Sequence, residues 1–294
     1  MHYNGPIVRP QTDADSVFIE VTVGCTHNSC TFCNFYDGYP FHVAPIKQIE
    51  EDLFEVKNQY PKAKKFWANG GNPYALNTEK LEEIGKLFQK HFPDGRISTY
   101  ARVDDLNRKS VEDMTRLKEA GFVDIVVGFE TGDDKALEYV NKGYTSEDVL
   151  SGCKKLEEAG VDYRMIFLGG LSGRDNGEEA AKKTANVLNQ LHPYIMYLNS
   201  VSILPGTKLY QDWETGIFKE AGEHENIMEF VTMLEHMKNE IMIFAAPNTT
   251  PFSFFVDLQP NKEELLRQMC QYAQRLDDGR EEKIEKGRQK RDYV

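Results

Sequence analysis

Cys25, Cys30 and Cys33 fall within nine positions in the stretch VGCTHNSCTFCNFY, Val23 to Tyr36, and they are three of the chain's five cysteines. Three thiols cannot pair off into disulfides. Three soft ligands converging on one point suit an iron–sulfur cluster or zinc better than a packing role. A zinc site would need a fourth ligand, and His27 or His42 could complete a Cys3His set. A [4Fe–4S] cube needs no fourth cysteine, because three leave one iron open to an external ligand. The remaining pair, Cys153 in a predicted helix and Cys270 in a terminal one, lie too far apart in sequence to build a further cluster, and each reads as a small buried hydrophobe. A hydrogen-donating thiol is the alternative for Cys270.

The loop needs a rigid element to present it, and the sequence supplies one directly upstream. VFIEVTVG, Val17 to Gly24, is an apolar strand that runs straight into Cys25. Downstream, strand, loop and helix repeat: a helix from about Ile46 to Asn58 with apolar residues at helical spacing, a strand KKFWANGG ending at Gly70 and Gly71, and a helix TEKLEEIGKLFQKHF. A third strand begins at Arg96 and leads to a helix that Ser110 can cap and Gly121 can end. Further strands follow at Asp124 to Thr131 and Asp162 to Gly170, and a sixth, YLNSVSILPGT, closes the series near Pro205. Six βα units with near-continuous apolar strands predict a parallel sheet covered by helices. Polar or glycine-rich residues follow nearly every strand, which favours a partial (β/α)6 TIM-type barrel whose strand ends share one mouth. Residues 1–14 read as an N-terminal arm, 15–210 as the barrel and 211–294 as a helical and irregular C-terminal extension packed on it, ending in a charged tail expected to be a solvated helix end.

GCTHNSCTFCNFY, placed directly after the first strand, resembles the cluster loop of radical S-adenosylmethionine (SAM) enzymes, close to the MiaB and NifB type of catalytic domain. Phe32 matches the aromatic position before the third cysteine. The common pattern leaves three residues between the first two cysteines, whereas THNS puts four between Cys25 and Cys30. GFETGDDKALEYVNKGYTSEDV resembles the family's second signature, which implies Glu130 as a contact to the SAM ribose or amino-acid part. ANGGNP is similar to the Gly-Gly-Glu segment that holds the SAM ammonium through backbone carbonyls; Gly70 and Gly71 match it, and Asn72 stands where the family usually has an acid. An ordinary glycine turn is the plainer reading of that segment. In STYARV, Ser98, Tyr100 and Arg102 alternate onto one side of the strand, so Ser98 and Arg102 become cofactor candidates if that side faces the interior. Arg102 is otherwise a structural ion-pair partner.

The resemblance implies that Cys25, Cys30 and Cys33 hold a [4Fe–4S] cluster and that SAM, chelated at the fourth iron, is cleaved to a 5′-deoxyadenosyl radical. It also implies a flavodoxin- or ferredoxin-type electron donor and oxygen sensitivity. The net charge of −12 sets nucleic acid behind a small-molecule or cofactor-precursor substrate, because nucleic-acid affinity comes mainly from clustered Lys and Arg. RNA or protein modification is the second enzyme reading, and a non-catalytic iron–sulfur or zinc-binding barrel comes from a different class. No apolar run approaches the roughly 20 residues that span a bilayer, and the start lacks the features of a signal peptide, so a cytoplasmic location is expected, with no membrane partner. The aromatic segment Pro247 to Phe255 could cover the barrel mouth, with Asn248, Phe252 and Phe254 as candidate substrate contacts; packing of a C-terminal strand is the alternative.

Overall fold

The computed structural model describes residues 1–276 and, beyond them, Gly279, Lys283, Ile284, Lys286 and Gly287. The charged tail from Asp277 therefore lies almost wholly outside the described residues. In chain order the elements are β1 (Val17–Glu20), β2 (Thr22–Val23), β3 (His42–Val43), α1 (Ile46–Gln59), β4 (Lys65–Asn69), α2 (Thr78–His91), β5 (Arg96–Ala101), α3 (Val103–Asn107), α4 (Val111–Glu119), β6 (Phe122–Glu130), α5 (Asp134–Tyr139), α6 (Ser146–Glu158) and β7 (Asp162–Gly169). They continue with α7 (Gly177–Leu188), β8 (Ile195–Ser200), α8 (Lys208–Glu214), α9 (Glu223–His236), β9 (Met242–Ala245), β10 (Phe254–Asp257) and α10 (Leu258–Gln274).

The chain is α/β, with an eight-stranded, mostly parallel sheet in the order β1-β4-β5-β6-β7-β8-β9-β10 and a separate β2-β3 pair. The six strands anticipated from the apolar runs are β1, β4, β5, β6, β7 and β8. Two more come from the C-terminal extension: β9 lies parallel to β8 and β10 turns back antiparallel on β9. Their sequences, MIFA and FFVD, do not alternate apolar with polar residues, so the period-2 signal is missing. The first strand breaks after Glu20, and the chain then pairs with β3 before entering the cysteine loop. Helix α4 opens with the reciprocal cap expected of Ser110, whose hydroxyl accepts from Asp113 N while the Asp113 carboxylate accepts from Ser110 N. Gly121, at φ +101°, supplies the left-handed turn that ends the segment.

Two compact units divide the described chain. The first comprises residues 1–28, 36–128 and 151–164. Its strand register sets Phe18, Trp67, Ser98 and Asp124 in one row across β1, β4, β5 and β6. Phe18 stacks on Trp67 at 5.7 Å, and Trp67 meets Tyr100 at 4.8 Å. Arg164, 2% exposed, lies with its guanidinium carbon 5.4 Å from the Trp67 ring and donates to both Asp124 and Asp13. A guanidinium taken this far from water needs such partners, because an uncompensated buried charge is strongly destabilising. The N-terminal arm is tied to β1 by hydrogen bonds: Tyr3 donates to Phe18 O at 2.9 Å, and Asn4 N and Nδ2 donate to the Glu20 carboxylate at 2.6 and 2.7 Å.

The second unit comprises residues 29–35, 129–150 and the chain from 165 onward. Its apolar cluster joins Leu168 of β7 and Leu171 just after it to Val201 and Ile203 after β8, to Leu209 of α8, and to Phe32 of the cysteine loop. Helix α9 carries two fully buried acids, Glu223 and Glu229, alongside Ile227, Phe230 and Leu234.

Candidate functional site

Within the first unit, the ends of β2 and β4 interlock through glycine. Gly71 N donates to Gly24 O at 3.1 Å. A Cβ on Gly71 would lie 2.4 Å from that oxygen and 2.9 Å from Cys25 Cα, and one on Gly24, at φ +76°, would lie 2.5 Å from Tyr39 O. Gly70, at φ +151°, leaves no room either, since its Cβ would meet Thr22 Oγ1 at 2.0 Å. The glycines at 70 and 71 are therefore required by contact with the backbone that carries Cys25, beyond any need of a turn. Two buried polar atoms of the same strand ends, Thr22 Oγ1 and Asn69 Oδ1, have no hydrogen-bond partner among the described residues. Such atoms are expected where a polar ligand completes a site.

Asn72, next in line, is buried and spends its amide on protein partners: Nδ2 donates to Thr26 Oγ1 at 2.7 Å and to Asp105 Oδ2 at 2.8 Å, and Oδ1 accepts from Thr26 N at 3.0 Å. Burial raises the Asp105 carboxyl above its usual range, opposed by the hydrogen bonds from Asn72 and from Arg102 N. The turn after Asn72 is braced by Lys109, whose ammonium donates to Tyr74 O and Leu76 O, each at 2.8 Å, and which burial pushes down to about 8.

Ser98 and Tyr100 do lie on the Trp67 side of the sheet, whereas Arg102 falls just past the end of β5 as the N-cap of α3. Ser98 lies toward the start of β5 and donates to Asp124 Oδ2 at 2.7 Å, within the Arg164 cluster. It is about 13 Å along an extended strand from Arg102, so the two are not brought together. Arg102, buried, directs Nε to Asp104 Oδ1 at 2.8 Å, which is its ion-pair reading.

In the second unit, Phe32 is sunk in the apolar cluster, with Cys30 and Cys33 half-buried at its rim. The loop around it is fixed by backbone: Thr31 N donates to Val140 O at 3.0 Å, Leu209 N donates to Thr31 O at 2.8 Å, and Asn141 Nδ2 donates to Ser29 O at 2.8 Å. Glu130, at the end of β6, has φ +66°, a conformation that costs a side-chain-bearing residue of order 1 kcal/mol or more and persists only where the surroundings enforce it. Its Oε1 accepts from Lys142 Nζ at 2.9 Å, in a pair with both partners buried. The same ammonium lies 5.7 Å from the Phe32 ring and 5.5 Å from the Tyr144 ring. Lys142 was not singled out by sequence; its one signal is the Asn-Lys-Gly break after α5, where Asn141 takes φ +54°.

None of the five cysteines is in a disulfide. Cys25 belongs to the first unit and Cys30 and Cys33 to the second, and among the described residues no three His, Cys, Asp or Glu side chains already stand as a metal site. The donor set, three thiols on one loop with a glycine cradle behind the first, fits an iron–sulfur cluster. Of the substrate candidates, Phe252 packs on Phe254 at 6.1 Å and on Tyr272 of α10 at 5.3 Å, while Asn248 is half-buried in the loop before them. The two phenylalanines thus sit in an aromatic cluster under the terminal helix, which is the packing alternative.

The fold is a mostly parallel α/β sheet with a thiol-rich loop after β2, and comparison with known proteins gives its family. The model of the radical SAM superfamily matches residues 19–185, more than half of the chain. The chain belongs to that superfamily, whose members are enzymes that use a [4Fe–4S] cluster and SAM. Among similar proteins, the uncharacterized protein MJ0486 of Methanocaldococcus jannaschii is 26% identical over 237 residues, covering 76% of this chain and 72% of that protein. The heme chaperone HemW of Bacillus subtilis is 25% identical over 65% of this chain and 52% of its own length. A tRNA uridine(34) acetyltransferase of M. jannaschii is 26% identical over 52% of this chain, and the match spans only 28% of that protein. The radical SAM methyltransferase TsrM of Kitasatospora setae superposes with a TM-score of 0.55 at 16% identity, over 66% of this chain and 38% of that one. Methylornithine synthase superposes at 0.54 with 14% identity, over 76% and 63%. These likenesses speak for the fold.

Proposed function

We infer that this chain is a radical SAM enzyme in which Cys25, Cys30 and Cys33 hold the cluster and residues 15–210 form the catalytic barrel, with 211–294 as an extension. The observation that carries the reading is the interlock of Gly24, Gly70 and Gly71 behind Cys25, inside the segment that matches the superfamily. When bound, the cluster and SAM supply one-electron cleavage of the sulfonium and a 5′-deoxyadenosyl radical. The chain's own residues bind and orient. Gly70 and Gly71 let backbone carbonyls approach the cofactor without a side chain between. Glu130, fixed by Lys142, presents a carboxylate at the end of β6, and Phe32 keeps the rim of the cysteine loop dry. The barrel orients SAM and excludes water, as proteins do for cofactor chemistry generally.

The substrate proposed is a small molecule or cofactor precursor, on the strength of the net charge of −12. The relative named for tRNA keeps RNA as the second reading, since overall charge leaves room for a local basic patch. A flavodoxin- or ferredoxin-type donor, oxygen sensitivity and a cytoplasmic location belong to the same reading. For the last, among the described residues no helix is long and apolar enough to cross a membrane. Anaerobic reconstitution with iron and sulfide, then reduction with dithionite in the presence of SAM, tests it: 5′-deoxyadenosine is expected from the parent chain and none from Cys25→Ser, Cys30→Ser or Cys33→Ser. Stoichiometric zinc after metal-replete purification, with no SAM cleavage, sinks the enzyme reading in favour of a metal-binding scaffold.

A further inference from the structure

Two departures from the family pattern, the four-residue gap THNS and the amide at position 72, meet in one cluster of hydrogen bonds. Asn72 is 0% exposed. Both of its N–H groups are used, one on Thr26 Oγ1 and one on Asp105 Oδ2, and its oxygen takes the Thr26 N–H. Asp105 is fixed in turn by Arg102 N at 2.9 Å and sits in the first turn of α3. An acid at position 72 would exchange both donors for acceptors and set a second carboxylate within about 3 Å of Asp105, leaving a buried acceptor unpaired beside a like charge. The amide is therefore what this pocket accepts.

The loop geometry shows what the amide holds. Thr26 follows Cys25 directly, so the hydrogen bonds to Thr26 N and Oγ1 fix the backbone on the far side of the thiol from Gly24. On its near side, Gly24 O already accepts from Gly71 N. The extra loop length is taken up beyond the anchored residue, where Asn28 adopts a left-handed φ of +40° and its Nδ2 reaches Tyr36 O at 3.5 Å. Asparagine enters that conformation more readily than most residues.

The geometry points to Asn72 as a positioning residue, an amide clamp that ties Thr26 to Asp105 and so holds Cys25 at a fixed place despite the longer gap, rather than a side-chain contact to the cofactor. The inference rests on the reading of Cys25 as a cluster ligand. In a loop with one residue more than the usual pattern, Cys25 would otherwise have additional freedom, which cluster binding would have to remove at an entropic cost. The clamp orders it beforehand.

The test uses the full chain as Asn72→Ala, Asn72→Asp, and the exchange variant Asn72→Asp with Asp105→Asn. Deuterium uptake at the Thr26 amide is read in the iron-free protein. Iron and sulfide content, and the electron paramagnetic resonance spectrum of the reduced cluster with and without SAM, are read after anaerobic reconstitution. Asn72→Ala is expected to speed exchange at Thr26 by about tenfold, as loss of one buried hydrogen bond implies. Asn72→Asp is expected to load less cluster than Asn72→Ala, with a changed spectrum. In the exchange variant the amide introduced at position 105 can donate to the carboxylate introduced at position 72, and loading is expected to recover toward the parent. Parent-like exchange in Asn72→Ala together with parent-like loading in Asn72→Asp overturns the proposal. So does an exchange variant no better than Asn72→Asp, because the loss would then be general damage to the fold. A parent chain that takes up no cluster refutes the catalytic reading, while the exchange measurement still decides the clamp.

Discussion

Glu229 offers a pH dependence that one substitution should remove. The carboxyl is buried on α9 and accepts a hydrogen bond from Gly170 N at 2.7 Å. Burial pushes it from 4.5 up to about 8; the Gly170 N–H opposes the shift, and the charges of Glu225 and Asp133 add to it. The folded chain therefore keeps a proton that the unfolded chain releases above pH 4.5. The stability linked to that proton is complete below 4.5, falls as pH rises, and is gone above about 8. At about 1.4 kcal/mol per pH unit, the window of about 3.5 units between those values caps the effect at about 5 kcal/mol. Between pH 6 and 8 the share is at most about 2.7 kcal/mol, or roughly 5 °C in Tm at about 2 °C per kcal/mol. Glu229→Gln keeps the shape and the acceptor for Gly170 N–H but cannot ionise. Calorimetry of the iron-free protein at pH 4.5, 6 and 8 should show the two chains within about 1 kcal/mol of each other at pH 4.5, with the variant ahead by at most about 2 kcal/mol at pH 6 and further ahead at pH 8. Equal losses of Tm in parent and variant over that range refute the reasoning.

Other expectations follow from the buried charges and the glycine interlock. Arg164→Met strands Asp124 and Asp13 and should cost about 3–5 kcal/mol, read as a lower Tm. Lys142→Met strands Glu130 and should cost a similar amount, and if Glu130 serves the cofactor, SAM affinity measured by calorimetric titration of the reconstituted protein should fall at least about tenfold. Gly71→Ala must push back Gly24 O and the Cys25 backbone, so iron loading should drop sharply. Gly38→Ala is the matched control: at φ +80° its Cβ would meet nothing within 4 Å, so only about 1–2 kcal/mol of backbone strain is expected, with iron loading unchanged.

Much of the fold is legible because local signals and burial agree. The apolar runs that became β4, β6 and β7 announce themselves, and the Ser110 to Asp113 cap and Gly121 mark their helix by chemistry that depends on no distant contact. The cysteine loop is legible for the same reason, since its three thiols lie within nine residues. What sequence hides are roles conferred by neighbours far along the chain. Arg164 reads as a break in an apolar strand until Asp13, 151 residues earlier, is seen beside it. Ser98 alternates with Arg102 in sequence, yet Arg102 falls past the strand as the cap of α3 while Ser98 serves the strand's other end, which alternation alone cannot tell. Asn72 reads as a lost acid until Asp105 is found behind it, and Lys142 reads as a surface lysine until Glu130 accepts from it.

The contact between Asp13 and Arg164 also bears on how the chain is made. The first unit draws on three separate stretches, the last of them ending at Arg164. A ribosome therefore delivers Asp13, Asp124 and the stacked Phe18 and Trp67 well before the cation that neutralises the two acids. Until Arg164 emerges, Asp124 in the strand row and Asp13 beside it lack their cation, and contacts of such long sequence separation form slowly. The nascent unit should accordingly stay open and sensitive to protease until synthesis has passed residue 164. Truncations ending before β7 should aggregate rather than fold as a smaller barrel.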